Sequence, residues 1–161
     1  MTTPEDVKRY DVRSETRHPQ PVAVVVATLD AAEIPAFLGG AFGEVAGVLG
    51  LEHLGPAGPP FARYHRLAHG RFAVEAGFPC LSDMEPTGRV QPAVLPGGYV
   101  AVTTHVGPYD EMEPGYTALA AWVSTHGGEL AGDPWEVYLS DPAEGDPSAT
   151  VTDVVQPYQP A

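Results

Sequence analysis

A chain of 161 residues can bury one proper core and is too short for two ordinary domains joined by a linker. With 43% apolar and 18% charged residues it has the material for that core, so its 18 Gly and 18 Pro mark turns rather than disorder. The formal charge of -13, with Arg and Lys few and scattered, excludes a nucleic-acid surface, which needs a clustered basic patch against phosphates.

An acidic field favours cationic partners, and it also serves solubility. The lone Cys80 excludes an internal disulfide and fits a reducing compartment. The N-terminus lacks an apolar signal region and no apolar run approaches the roughly 20 residues that span a bilayer. The expectation is a cytoplasmic protein with no membrane partner.

Residues 1–20 are polar and charged and read as a flexible N-terminal arm. From Pro21 the run PVAVVVATL is continuous and β-branched, which suits a strand buried on both faces and ended by Asp30. Asp30 and Glu33 have capping-box spacing, and Pro35 sits in a first turn where its missing amide hydrogen costs little, so a helix starts here. Ile34, Leu38, Ala41, Phe42, Val45, Val48 and Leu49 recur at helical spacing to about Leu51. Gly39, Gly43 and Gly47 share one side of that helix, each costing about 1 kcal/mol relative to Ala. Tight packing of helix on sheet is the preferred explanation; close approach of a backbone or flat ligand is the other.

After the turn-rich GPAGPP, residues 61–67 and 71–79 alternate as a hairpin, and 80–96 shows no period and reads as a connection. Residues 99–106 form a further strand. Asp110 and Glu113 repeat the capping spacing ahead of Met112, Tyr116, Leu119, Ala120 and Val123, and Gly127 with Gly128 stops that helix. Residues 135–139 and 150–157 complete the pattern as strands.

The order β, α, β, β thus occurs twice inside one domain over 21–161, with repeat 1 at about 21–80 and repeat 2 at about 97–158. The copies also align in residues: GPPFARY (58–64) on GDPWEVY (132–138), and FAVEAGFP (72–79) on TVTDVVQP (150–157). Such a duplication predicts a pseudo-twofold axis with a cleft between copies, whose convergent walls remove a small molecule from water.

Along 135–139 the pleat sets Glu136 and Tyr138 on one face and Trp135, Val137 and Leu139 on the other. A glutamate between aromatics is either solvated at an edge or turned into a cavity. If enclosed, its pKa rises, and a cation would relieve the cost of its burial. Cation–π contact with the tyrosines would add about 0.5–2 kcal/mol each. Its counterpart in repeat 1 is Ala62, and that of Tyr138 is Tyr64. His65 and His69 are four apart without a helix or a third ligand, so no metal is expected. His105 with Ser140 and Asp141 lacks a nucleophile-elbow motif, and no phosphate-binding glycine loop exists, so no cofactor is expected either.

The segments VEAGFP (74–79), THVGPYDE (104–111) and GDPWEVYLSDP (132–142) resemble the GyrI-like small-molecule-binding family, which includes effector domains of multidrug-responsive transcription activators. The likeness implies an α+β fold in which duplicated βαββ units form a curved antiparallel sheet with two main helices and a pocket near the pseudo-twofold axis. It also implies a central ligand-binding glutamate at Glu136, with walls at Tyr138, Tyr109, Tyr64, Tyr116 and Phe42. No DNA-contacting region precedes the domain, so a stand-alone form is expected.

Three functions fit. The leading one is a binder of hydrophobic or cationic, drug-like small molecules. The second is a hydrolase of strained, cyclopropane-type electrophiles with Glu136 as its catalytic residue, although the reading leans away from an enzyme. The third is a gyrase-inhibitor-like interaction with a basic protein partner.

Overall fold

The computed structural model describes residues 10–140 and 149–161. In chain order the elements are β1 (Val12–Arg17), β2 (Gln20–Asp30), α1 (Ile34–Leu51), β3 (Phe61–Arg66), β4 (Arg71–Pro79) and β5 (Gln91–Leu95). There follow β6 (Gly98–Val106), α2 (Glu113–Thr125), β7 (Glu129–Leu130), β8 (Trp135–Tyr138) and β9 (Val151–Gln159). The strands make one antiparallel sheet in the order β1-β6-β9-β8-β3-β4-β2-β5, with β7 on β9.

Helix α1 starts where the capping spacing expects it, after one turn of 3-10 helix in which the Asp30 amide donates to Glu33 Oε1 at 2.9 Å. The matching box at α2 rests on the Asp110 side chain, which lies outside the described residues.

At the centre of the sheet β3 pairs with β8, and Ala62 stands directly opposite Glu136. These are the two residues that the repeats superimpose. Outward from this pair, β4 and β9, β2 and β6, and β5 and β1 occupy matched places. A pseudo-twofold axis therefore passes through the Ala62–Glu136 pair.

Two strands lie where none was expected. β1 falls inside the stretch read as a loose arm, and β5 inside the stretch read as a connection. They are counterparts: β1 pairs with β6 of the second repeat and β5 with β2 of the first, so each repeat lends its leading strand to the other. Both lie at sheet edges, where a strand needs little apolar residue, and β5 tolerates Pro92 for the same reason.

This exchange forces the shape. The chain passes from one end of the sheet to the other within residues 17–20, and again within residues 95–98, so the sheet curls until its ends meet. The two crossings abut, and a Cβ on Gly97 would lie only 2.7 Å from Pro19 Cδ.

Val22 and Val24 of β2 share a core with Val100 and Val102 of β6, although four strands separate them in the sheet. That face is therefore concave, and Phe61, Trp135 and Val155 fill it without a helix. Both helices lie on the convex face. α1 buries Ala41, Val45 and Leu49 against Ala23, Val25, Ala62, Val74 and Ala76, and α2 buries Leu119 and Val123 against Ala101, Val154 and Tyr158. β2 is covered on both sides, which is why its apolar run is continuous.

Two expectations about α1 are corrected. Gly39, Gly43 and Gly47 are exposed, and a Cβ added to any of them would meet nothing within 4 Å, so they do not serve tight packing on the sheet. The 21 residues Ala31–Leu51 are also, by length and composition alone, apolar enough to cross a bilayer. The glycines and alanines hide this from a search for bulky apolar runs. In the fold, this helix lies along the sheet.

Candidate functional site

The pleat of β8 turns Glu136 toward the convex face, into the space between the α1 and α2 cores. Only 8% of the residue is exposed. Tyr138, two residues on and so on the same face, donates its hydroxyl to Glu136 Oε1 at 2.8 Å. Tyr116, from the first turns of α2, donates a short hydrogen bond to Oε2. The repeat counterpart Tyr64 completes the chain: its hydroxyl lies 2.8 Å from that of Tyr138, 74 residues away, and donates to it because the Tyr138 proton is committed to Glu136. Two tyrosines that the repeats superimpose thus meet at the axis beside a single carboxylate.

Rings close the cluster. Phe42 of α1 lies 5.9 Å from the Tyr138 ring, and Tyr109, from the turn before α2, stands edge-on to it at 5.5 Å. All six residues singled out in the sequence therefore come together. Others join them: Phe78 packs edge-on against Phe42, and Phe72 against Tyr64. The exposed Arg66 sets its guanidinium 6.0 Å from the Phe72 centroid and faces Phe72 across the β3–β4 pair. Parity along β3 was the signal for Arg66, since Ala62, Tyr64 and Arg66 share a face.

Burial pushes the Glu136 carboxyl above its ordinary range, and the two tyrosine donors pull against that shift. The same burial, reinforced by the negative charge of Glu136, raises the Tyr138, Tyr116 and Tyr64 hydroxyls, so all three stay protonated donors. No described ion pair includes Glu136.

The other sequence candidates have separate settings. Trp135 faces away from Glu136 into the concave core and is 1% exposed. His65 pairs with Asp133 at 2.9 Å, and His69 occupies a left-handed turn. His105 is buried, with Nδ1 2.9 Å from the Tyr10 hydroxyl and Nε2 2.9 Å from the Pro108 carbonyl oxygen, so it anchors the turn that carries Tyr109. The Ser140 hydroxyl accepts from the Val151 amide, and Asp141 lies outside the described residues. Cavities of about 450 and 120 Å3 open on the face opposite Glu136.

No curated protein sequence matches this chain. Solved structures do. The EcmrR C-terminal domain is similar at a TM-score of 0.79 and 19% identity, over 94% of this chain and 99% of that one. In the EcmrR–DNA complex the TM-score is 0.77 at 17% identity, and the match spans 94% of this chain but 58% of EcmrR. A hydrolase from Listeria innocua is similar at 0.65 and 13%, over 95% and 94%. SAV2435, solved with tetraphenylphosphonium bound, is similar at 0.62 and 10%, over 94% of each chain. At these identities the likeness is one of fold. The model of the GyrI-like small molecule binding domain matches residues 10–159, and the chain belongs to that family.

Proposed function

We propose that this chain binds a lipophilic cation on its convex face, with the charge held by Glu136 and the apolar body among Tyr64, Tyr109, Tyr116, Tyr138 and Phe42. One observation carries this reading: a carboxylate removed from water whose described partners are neutral hydroxyls alone. A charge so placed lacks the counter-ion that ordinarily offsets burial. A cation without hydration of its own supplies one, and aromatic faces add to the attraction. The tetraphenylphosphonium held by SAV2435 is a molecule of this chemistry on the same fold.

Hydrolysis with Glu136 as general base requires a carboxylate oxygen able to take a proton from water. The two tyrosine hydroxyls that donate to it lower the basicity of that carboxylate, which favours binding over turnover.

Titration with tetraphenylphosphonium or rhodamine 6G tests the proposal. Glu136→Gln is expected to weaken binding about tenfold or more while leaving the fold intact. Equal affinity for the two proteins would overturn it, and release of a chemically altered product from a strained electrophile would move the assignment to the hydrolase.

A further inference from the structure

On the concave face the cavity of about 120 Å3 lies apart from the crossing turns that build the larger one, and charged side chains make much of its wall. Strand parity places them. Arg63 and His65 of β3 stand directly opposite Glu75 and Ala73 of β4, and Val26 of β2 lies beyond Glu75. Asp133, just ahead of β8, closes the wall. Arg63, Ala73, Glu75 and Asp133 are half-buried and Val26 and His65 exposed, so none of them is spent on the core.

Arg63 and Glu75 are cross-strand neighbours of opposite charge, with Cβ atoms about 5 Å apart by the geometry of the ladder. Such pairs ordinarily close on each other. Here no described ion pair joins them or holds either one, and Arg63 Nε is buried without a hydrogen-bond partner. The second repeat shows the closed alternative. There Asp153, which the repeats superimpose on Glu75, accepts from Thr104 Oγ1 at 2.6 Å and from Arg13 at 3.4 Å. Val26 holds the place of Thr104 beside that acid, and Val137 the place of Arg63. The first repeat therefore keeps a guanidinium and a carboxylate facing one space.

Asp133 is engaged by His65 at 2.9 Å, which leaves one uncommitted charge of each sign. A simple anion or cation entering the cavity would meet a like charge, whereas a zwitterion satisfies both. The volume is room for about four waters at about 30 Å3 each, the size of a small amino acid.

We propose that this cavity is a second small-molecule site that takes a free α-amino acid with a short apolar side chain. Its carboxylate lies on the Nη groups of Arg63, its ammonium on Glu75 and its side chain against Ala73 and Val26. This site stands independently of the reading of Glu136.

L-alanine is the probe, and the readout is the backbone amide signals of Arg63, Ala73 and Glu75 in the NMR spectrum of the full chain. A saturable shift of these signals is expected, with half-saturation in the millimolar range. Propionate, which lacks the ammonium, and ethylamine, which lacks the carboxylate, should each bind about tenfold more weakly at matched ionic strength. Arg63→Gln and Glu75→Gln should each weaken alanine binding by a similar factor, whereas Glu136→Gln should leave it unchanged. The two analogues test the wild-type chain, so the outcome does not hang on either variant folding. The assignment is overturned by no saturable shift at tens of millimolar alanine, by equal affinity for propionate or ethylamine, or by undiminished binding in folded Arg63→Gln or Glu75→Gln.

Discussion

Glu136 and its hydroxyl donors set what single substitutions should do. Because burial raises the folded-state carboxyl pKa, the folded chain holds that proton more tightly than the unfolded one. The resulting stabilisation is complete below the unfolded carboxyl range and is lost as pH rises through the folded value. Glu136→Gln has no proton to lose, so it is expected to exceed wild type in stability by about 1–2 kcal/mol near pH 8, with the gap closing toward about pH 4. Urea unfolding at the two pH values measures this; a gap that widens on acidification would contradict the sign. The tyrosines should rank as well. Tyr138→Phe strands both Glu136 Oε1 and the Tyr64 hydroxyl and should cost about 1–3 kcal/mol, whereas Tyr64→Phe leaves the carboxylate satisfied and should cost about 0.5–1.5 kcal/mol.

At the scale of elements, glycines divide into those that matter and those that do not. Gly43 and Gly47 sit mid-helix in open space, so alanine at either should add about 0.5–1 kcal/mol through helix propensity, seen as a raised Tm. Gly77 is the opposite case. A Cβ there would collide with the Ala23 carbonyl across the β2–β4 pair, so Gly77→Ala should unfold the chain or cost upwards of about 3 kcal/mol. The same division explains what was legible. α1, the β3–β4 hairpin, β6 and β8 announce themselves because each buries an apolar face whose period shows in its own residues. β1 and β5 do not, since their partners lie in the other repeat and their outer edges meet water. The aromatic cluster was readable because strand parity and the repeat offset both converge on Tyr64, Glu136 and Tyr138. The concave cavity was not, because turns far apart in sequence build it, and only closure of the curl brings Pro19 beside Pro96.

For the molecule as a whole, closure depends on the exchanged strands. Deleting residues 1–17 removes β1 and leaves the β6 edge uncovered. Hydrogen exchange should then show loss of protection from Val100 to Thr103, together with a cooperative drop in stability, whereas deletion of residues 1–9 should do neither. If β1 contributed nothing, the two truncations would behave alike.

The lending of leading strands also bears on how the polypeptide can be divided. Most of the stretch from Leu81 to Arg89 is exposed, and a cut after Glu85 would leave one piece carrying β1 and the other β5. Neither piece could saturate its own hydrogen-bonding rims. Mixed together, they should recognise one another and reassemble as a nicked monomer, each peptide serving as the missing template for its twin.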